Sequence, residues 1–426
     1  MKYITSYKQD NRDYVGIVLC MVYLFFTFLA NGNIFPTVLN RITMYIFLLY
    51  GILVFAYRFF RQSLIISRYS YWYALFIVFT SITILYSDYK TELFSDSYYQ
   101  LIVCFMITFF LAEFIVAEED FILISWTYVV SSLFMIAFLY MTGGLVGTAS
   151  ERLGQDILGN SNTFATFIMY SEMYALWLFI FTTKNKMQQV VLGISILAGM
   201  YALMLSAGRK YFIIPVLFIY ALLILKKDER GKRYFIKNTV FVAVIIIVLY
   251  LLITKIPILH NSIGIRLEQF INQYTGRGEV DASSKIRKIM REVAIEGWRK
   301  KPILGHGYNT FQYYRSKRLF NGGIHGYSHC NFTELLFSGG IVYCLIYYLG
   351  YAICVFNNNF KKIDTKFFAF TIAAAISQFV FDYGGVTYEL ITTQVFLMMA
   401  LRGLEIGYGS NTCKSQIIED GFRYLK

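Results

Sequence analysis

The sequence predicts an all-α polytopic membrane protein of about twelve transmembrane helices, with one long external loop containing short helices between spans nine and ten. Three observations predict this. The chain of 426 residues is 57% hydrophobic and only 15% charged, with mean hydropathy +0.52, far from the half-apolar, quarter-charged mixture of a soluble domain. Apolar runs of the roughly 20 residues needed to cross a hydrocarbon core about 30 Å thick recur from end to end. The basic residues, finally, are sorted by position along the chain.

In order, the spans read 14–31, 37–57, 70–86, 98–117, 121–142, 163–182, 188–207, 211–225, 239–256, 333–356, 367–383 and 386–401. Spans eight and twelve are short, and Asp382, Tyr383 and two glycines alone separate the last two, so a re-entrant pair is an alternative there. Glu113 and Glu172 fall inside spans, where a carboxylate is costly and faces a cavity or a partner. The chain thus divides into 1–256 (spans one to nine), 257–332 (the external loop), 333–401 (spans ten to twelve) and 402–426 (a cytoplasmic tail).

A net charge of +13 invites a nucleic-acid reading, but the charges follow topology instead. With the N-terminus inside, cytoplasmic segments hold 21 Lys and Arg and the short external ones hold 5, Arg41, Lys90, Arg152, Arg209 and Lys210. The other 13 lie between Lys255 and Arg318, in a segment too long for the positive-inside rule to govern. Both termini are therefore placed in the cytoplasm. The first apolar run lacks a small-residue cleavage site and reads as an anchor. Of six cysteines no two share an oxidising compartment, so no disulfide is expected.

The external segment demands explanation, because long insertions in a compact fold are usually functional. From Pro257 to Asn331 it carries 12 basic residues against five acidic ones. Within it, Ser284 to Lys301 reads as an amphipathic helix, with Ile286, Ile289, Met290, Val293 and Gly297 on its apolar face, Ser283 or Ser284 as cap and Pro302 as stop. Arg287 and Arg291, at i and i+4, project from one side. Two readings stand together: a basic helix lying on anionic lipid with Trp298 as anchor, and a pair of guanidiniums that bind phosphate. Three of the four histidines, His306, His325 and His329, cluster downstream. Neither spacing is a metal-ligand motif; one histidine acting as general base at the membrane surface suits the chemistry better, given an ordinary pKa near 6.5.

Several stretches resemble the bacterial O-antigen polymerase and O-antigen ligase superfamily. Ser328-His329-Cys330-Asn331-Phe332-Thr333-Glu334-Leu335-Leu336 followed by Gly340-Ile341 is similar to its histidine motif; Arg287 followed by Pro302-Ile303-Leu304-Gly305-His306-Gly307 is similar to its loop arginine and "PLLGVG"-like turn. Ser206-Ala207-Gly208-Arg209 resembles its Ser-x-x-Arg motif, and Arg152 with Gly159-Asn160-Ser161-Asn162 its "GNPN" element. Together these cover roughly residues 150 to 345. Cys330 departs from the pattern, which has Asn after the histidine; here Asn331 follows one place later.

The resemblance implies a multi-pass protein of the bacterial cytoplasmic membrane that transfers sugar from undecaprenyl diphosphate, without metal or cofactor, to build O-antigen (lipopolysaccharide), capsular or exopolysaccharide. His329 would be the catalytic base of an inverting transfer, with Arg209, Arg287 and Arg291 on the diphosphate; Arg152, Asn162, His325 and Glu334 would be further substrate contacts. Alternatives stay open: Arg209 as a headgroup anchor, Arg152 and Asn162 as caps, and His325 or His306 as the base. Asp382 and Tyr383 would reach acceptor sugar. Beyond the lipid-linked oligosaccharide, the partners expected are membrane lipid and a chain-length-regulating co-polymerase, with no nucleic acid. Polymerase is favoured over ligase. Against a flippase, the reading from another class, the sequence shows neither the internal repeat nor the paired helix breaks of transporters, and a scaffold leaves the arginine and histidine placement unexplained.

Overall fold

The computed structural model describes residues 12–31, 34, 36–61, 63–64, 66–87, 96–145, 153, 160–183, 185–226, 231–275, 282–318, 326–356 and 363–423. Every one of the twelve apolar segments is a helix: α1 (Tyr14–Asn31), α2 (Thr37–Phe60), α3 (Arg68–Leu85), α4 (Asp96–Phe114), α5 (Glu118–Met141), α6 (Ser161–Phe181), α7 (Lys186–Leu205), α8 (Arg209–Leu225) and α9 (Gly231–Lys255), then, after the long segment, α13 (Asn331–Val355), α14 (Thr365–Phe381) and α15 (Ile391–Arg423). Between them lie α10 (Ile265–Thr275), α11 (Ala282–Trp298) and α12 (Phe311–Arg318). Among the described residues there is no strand. Eight of the helices, α2, α4, α5, α6, α7, α9, α13 and α14, are long and apolar enough to cross a membrane; α1 is a shorter apolar helix, and α8 has 17 residues.

α6 is the hub. Of its membrane-length window 83% is buried, against 11% for α2 and 17% for α9, which present Leu49, Leu53, Ile247 and Tyr250 outward as a lipid-facing helix should. Trp177 and Tyr170 of α6 are fully buried; the Trp177 indole donates to the Lys366 carbonyl (2.9 Å), and the Tyr170 hydroxyl donates to Gln378 (2.7 Å) and lies 2.6 Å from that of Thr393, which ties α6 to α14 and α15. Glu172 is wholly buried on the same helix, in the space that Gly199 of α7 leaves by having no Cβ, and neither carboxylate oxygen has a hydrogen-bond partner. Glu113 instead faces Arg58 at 3.6 Å.

Span twelve starts later than its hydropathy suggests. α15 begins at Ile391 rather than at 386, because the Asn331 side-chain oxygen Oδ1 accepts the amides of Thr387 (2.9 Å) and Tyr388 (3.2 Å) and holds that link out of the helix. Asp382 also departs from expectation. It is wholly buried and accepts hydrogen bonds from Gln378 (2.8 Å), Thr387 (2.5 Å), Tyr348 (3.1 Å) and Tyr351 (2.8 Å). A carboxylate so satisfied fixes structure and has no lone pair left for a sugar.

α13 breaks at Gly339 and Gly340, the latter at φ +67°. Non-helical backbone at membrane depth survives only when its polar groups are satisfied by protein, and the Pro302–Gly307 turn does this. Ile341 N–H donates to Pro302 O (2.9 Å), while the His306 and Gly307 amides donate to Phe337 O (2.9 Å) and Ser338 O (2.7 Å). A side chain at Gly340 would run into the Ile303 carbonyl. The glycine-punctuated turn is thus the plug of a helix break.

Candidate active site

α11 forms as its periodicity predicts, but it spans Ala282–Trp298, so Ser284 lies inside it rather than capping it. Its apolar face is also narrower. Met290, Val293 and Ala294 are buried against Phe311 and Phe337, whereas Ile286 and Ile289 are exposed. Burying those side chains at about 1.5–3 kcal/mol for each large one is enough to dock a short helix on the end of α13. Trp298 donates from its indole to Pro302 O (3.0 Å). Docking in this register turns Arg287 and Arg291 towards His329, which feels the charge of both.

His329 sits in a turn built to hold it. Its φ of +59° is left-handed, a region His, Asn and Asp occupy more readily than other residues. The Ser328 amide donates to the Glu334 carboxylate (2.7 Å), the Ser328 hydroxyl to Cys330 O (3.0 Å), and the Thr333 hydroxyl to that of Ser328 (2.9 Å). Glu334, in the first turn of α13, is buried and so positions the histidine turn from behind. The Tyr327 ring packs on the imidazole with centroids 4.4 Å apart. Asn331, the displaced family asparagine, is buried and anchors the link to α15.

Three arginines and Lys210 act on the imidazole, Lys210 itself pushed down to about 7 by burial and by Arg287. Burial, then Arg287, Lys210, Arg315 and Arg291, hold His329 down at about 4, so the ring is neutral at physiological pH. Lys210 donates to Gly384 O (2.8 Å) and lies over the Phe381 ring; Arg291 lies over Tyr383 at 5.0 Å. Among the described residues, no carboxylate pairs with Arg287, Lys210 or Arg291 in a salt bridge. Such a cluster suits an anion, and the planar guanidiniums suit phosphate oxygens.

Arg209 is committed to structure as well. Its guanidinium donates to Arg266 O (2.9 Å) and the Ser284 hydroxyl (2.9 Å) and stacks on Phe270 (4.8 Å), joining the start of α8 to α10 and α11. The turn before it has Ala207 at φ +55°. Asn160, one residue before α6, caps that helix by accepting the Asn162 amide (3.0 Å), which places Asn162 in the first helical turn. His306 is held away from the cluster: its ring bonds Gly297 O (2.9 Å) and stacks on Phe337 (4.6 Å). Arg152 and His325 lie outside the described residues.

Lys210 and Arg315 escaped the sequence reading. Lys210 adjoins Arg209 and was visible as an external charge; nothing local relates Arg315 to a histidine fourteen residues on.

Among the described residues no group of three His, Cys, Asp or Glu side chains is arranged to hold a metal ion. Residues 192–348 match the family model described as O-antigen ligase. No curated protein matches the chain. The matched stretch runs from α7 into α13 and contains Arg209, Lys210, Arg287, Arg291, Arg315 and His329. The part of this multi-pass helical membrane protein that carries the candidate site is thus similar to the O-antigen ligase family.

Proposed function

We propose that the chain is a polymerase that joins undecaprenyl-diphosphate-linked oligosaccharide repeats at the outer face of the bacterial cytoplasmic membrane, without metal, and inverts the anomeric centre. The observation that carries this is a neutral histidine among Arg287, Arg315, Arg291 and the buried Lys210. The 257–332 segment would lie outside, with both termini in the cytoplasm, which agrees with the sorted basic residues.

In this reading the donor's diphosphate enters the cation cluster, where Arg287, Arg291 and Lys210 stabilise the charge that develops as the C–O bond to phosphate breaks. The acceptor hydroxyl attacks the anomeric carbon, and its proton passes to a nitrogen of His329. A base with a pKa near 4 is weak, but an anion of charge about −2 beside it offsets the cations and raises its proton affinity. The base therefore strengthens once the donor is in place. Arg209 acts beside the cluster, by holding α11 in register as well as by its charge. Arg152, Asn162 and His325 are proposed contacts of the sugar; Glu334 acts through the histidine turn. A co-polymerase that sets chain length is a further proposed partner.

The test is reconstitution in nanodiscs with the native lipid-linked repeat in excess EDTA, with products resolved on a gel. The wild type gives a ladder and His329→Ala gives none at equal protein level; a ladder from His329→Ala sinks the assignment. A second reading, transfer of a finished glycan to another acceptor, is favoured by the description of the matched family. Product that appears only when a second acceptor is added would select it.

A further inference from the structure

We propose that the groove between α11 and the first turns of α13 binds the saccharide of the acceptor, apart from the cluster that takes the diphosphate. This rests on the reading of the chain as a glycosyl transferase. The groove has a volume of about 540 Å³ and is open on one side. Along α11 and just past its end it is lined by Arg291, Arg299, Glu292 and Glu296, the two glutamates at i and i+4 facing the same way. Opposite stand the rings of Phe332 and Tyr383.

The composition of the groove selects the occupant. Two guanidiniums and two carboxylates line it, Glu292 and Glu296 each also facing a lysine, Lys288 at 4.0 Å and Lys300 at 3.9 Å, in contrast to the surroundings of His329, where only arginines and Lys210 act. Carboxylates accept from sugar hydroxyls, guanidiniums donate to ring and hydroxyl oxygens, and aromatic faces take the apolar C–H face of a pyranose. A lipid phosphate would instead be brought against Glu292 and Glu296, where like charge opposes it. Tyr383 is 60% exposed, with Arg291 over its ring.

The groove is also continuous with the reacting centre. Cys330, next to His329, forms part of its lining, and Arg291 both lines it and projects its charge onto His329. A saccharide lying in the groove presents its terminal hydroxyl at the imidazole while the donor's diphosphate occupies the side of Arg287 and Lys210.

The experiment uses the full-length protein in nanodiscs and, as probe, the oligosaccharide released by mild acid from the native lipid-linked repeat, free of lipid and phosphate. Binding is read by saturation-transfer NMR and calorimetry. The wild type binds it. Tyr383→Ala and the pair Glu292→Gln with Glu296→Gln weaken binding by about tenfold or more, as loss of a stacking face or of charged hydrogen bonds does, and Tyr383→Trp retains it. His329→Ala binds as the wild type does, so loss of polymer in that variant tests the transferase reading separately. The proposal is overturned if the wild type does not bind the oligosaccharide, if the groove variants bind it unchanged, or if they lose undecaprenyl phosphate instead.

Discussion

The two ends of the helical bundle treat their charges in opposite ways. At one end Arg12 pairs with Asp120 (2.5 Å), Arg58 with Glu113 (3.6 Å), Lys366 with Glu118 and Arg402 with Glu405. Asp120, wholly buried, also accepts the amides of Val116 (3.1 Å) and Ala117 (2.9 Å). At the other end Arg287, Lys210 and Arg291 converge on a neutral histidine with no carboxylate salt bridge among the described residues. Paired charges there hold helices together; on the proposed reading Arg287, Lys210 and Arg291 are compensated by the donor's diphosphate. On the proposed reading, the half-buried basic cluster is the end where chemistry takes place.

Substitutions at the two ends should therefore fail differently. The largest effect is expected from His329→Ala: removing a general base costs about 10²–10⁴-fold in turnover, with unchanged thermal unfolding in detergent, and a turnover assay beside an unfolding curve checks both. Gly340→Ala comes next. It places a side chain at φ +67° and against the Ile303 carbonyl, so it should destabilise by about 3 kcal/mol or more and lose activity with the fold. Asp120→Ala at the paired end should cost about 3 kcal/mol by stranding Arg12, lowering the melting temperature while the protein that remains folded keeps its KM. Were it to raise KM specifically, the contrast between the ends would fail.

A smaller and more diagnostic effect concerns pH. Cations favour the neutral ring, so removing one raises the pKa of His329. Below that pKa the imidazolium forms and base catalysis is lost. For the free enzyme kcat/KM should fall only as pH drops towards about 4, and in Arg287→Ala the fall should begin at higher pH, towards the ordinary 6.5. The smallest effect is expected at Ile286, half exposed on α11: Ile286→Ser should change stability by no more than about 0.5 kcal/mol.

Much of this fold is legible in the sequence because a bilayer demands long apolar helices and leaves few alternatives. All twelve segments are helices, and α11 ends before Pro302 as its pattern requires. What escapes is set by contacts distant in sequence. Hydropathy runs straight through Thr387 and Tyr388, and hydrogen bonds to Asn331, Asp382 and Tyr73, all distant or outside the helix, keep them out of α15. Gly339 and Gly340 are visible as glycines, but their break becomes tolerable only through a turn more than thirty residues upstream. Ile286 and Ile289 share the apolar stripe of α11 in sequence, yet the docking angle on α13 exposes them. His329 stands out in the sequence by its motif, and Arg287 and Arg291 by helical spacing; Arg315 is brought near them by folding alone.

On the proposed mechanism, His329 is a neutral base whose proton affinity rises when a diphosphate fills the surrounding basic cluster. The most direct measurement is the ¹⁵N NMR titration of histidine-labelled protein in nanodiscs, which has four histidines to resolve, with His329 assigned by its loss in His329→Gln. The account predicts that, without ligand, His329 titrates near 4, and that undecaprenyl diphosphate moves this upward by about a unit or more. Titration near 6.5 without ligand and unmoved by the lipid diphosphate would contradict it.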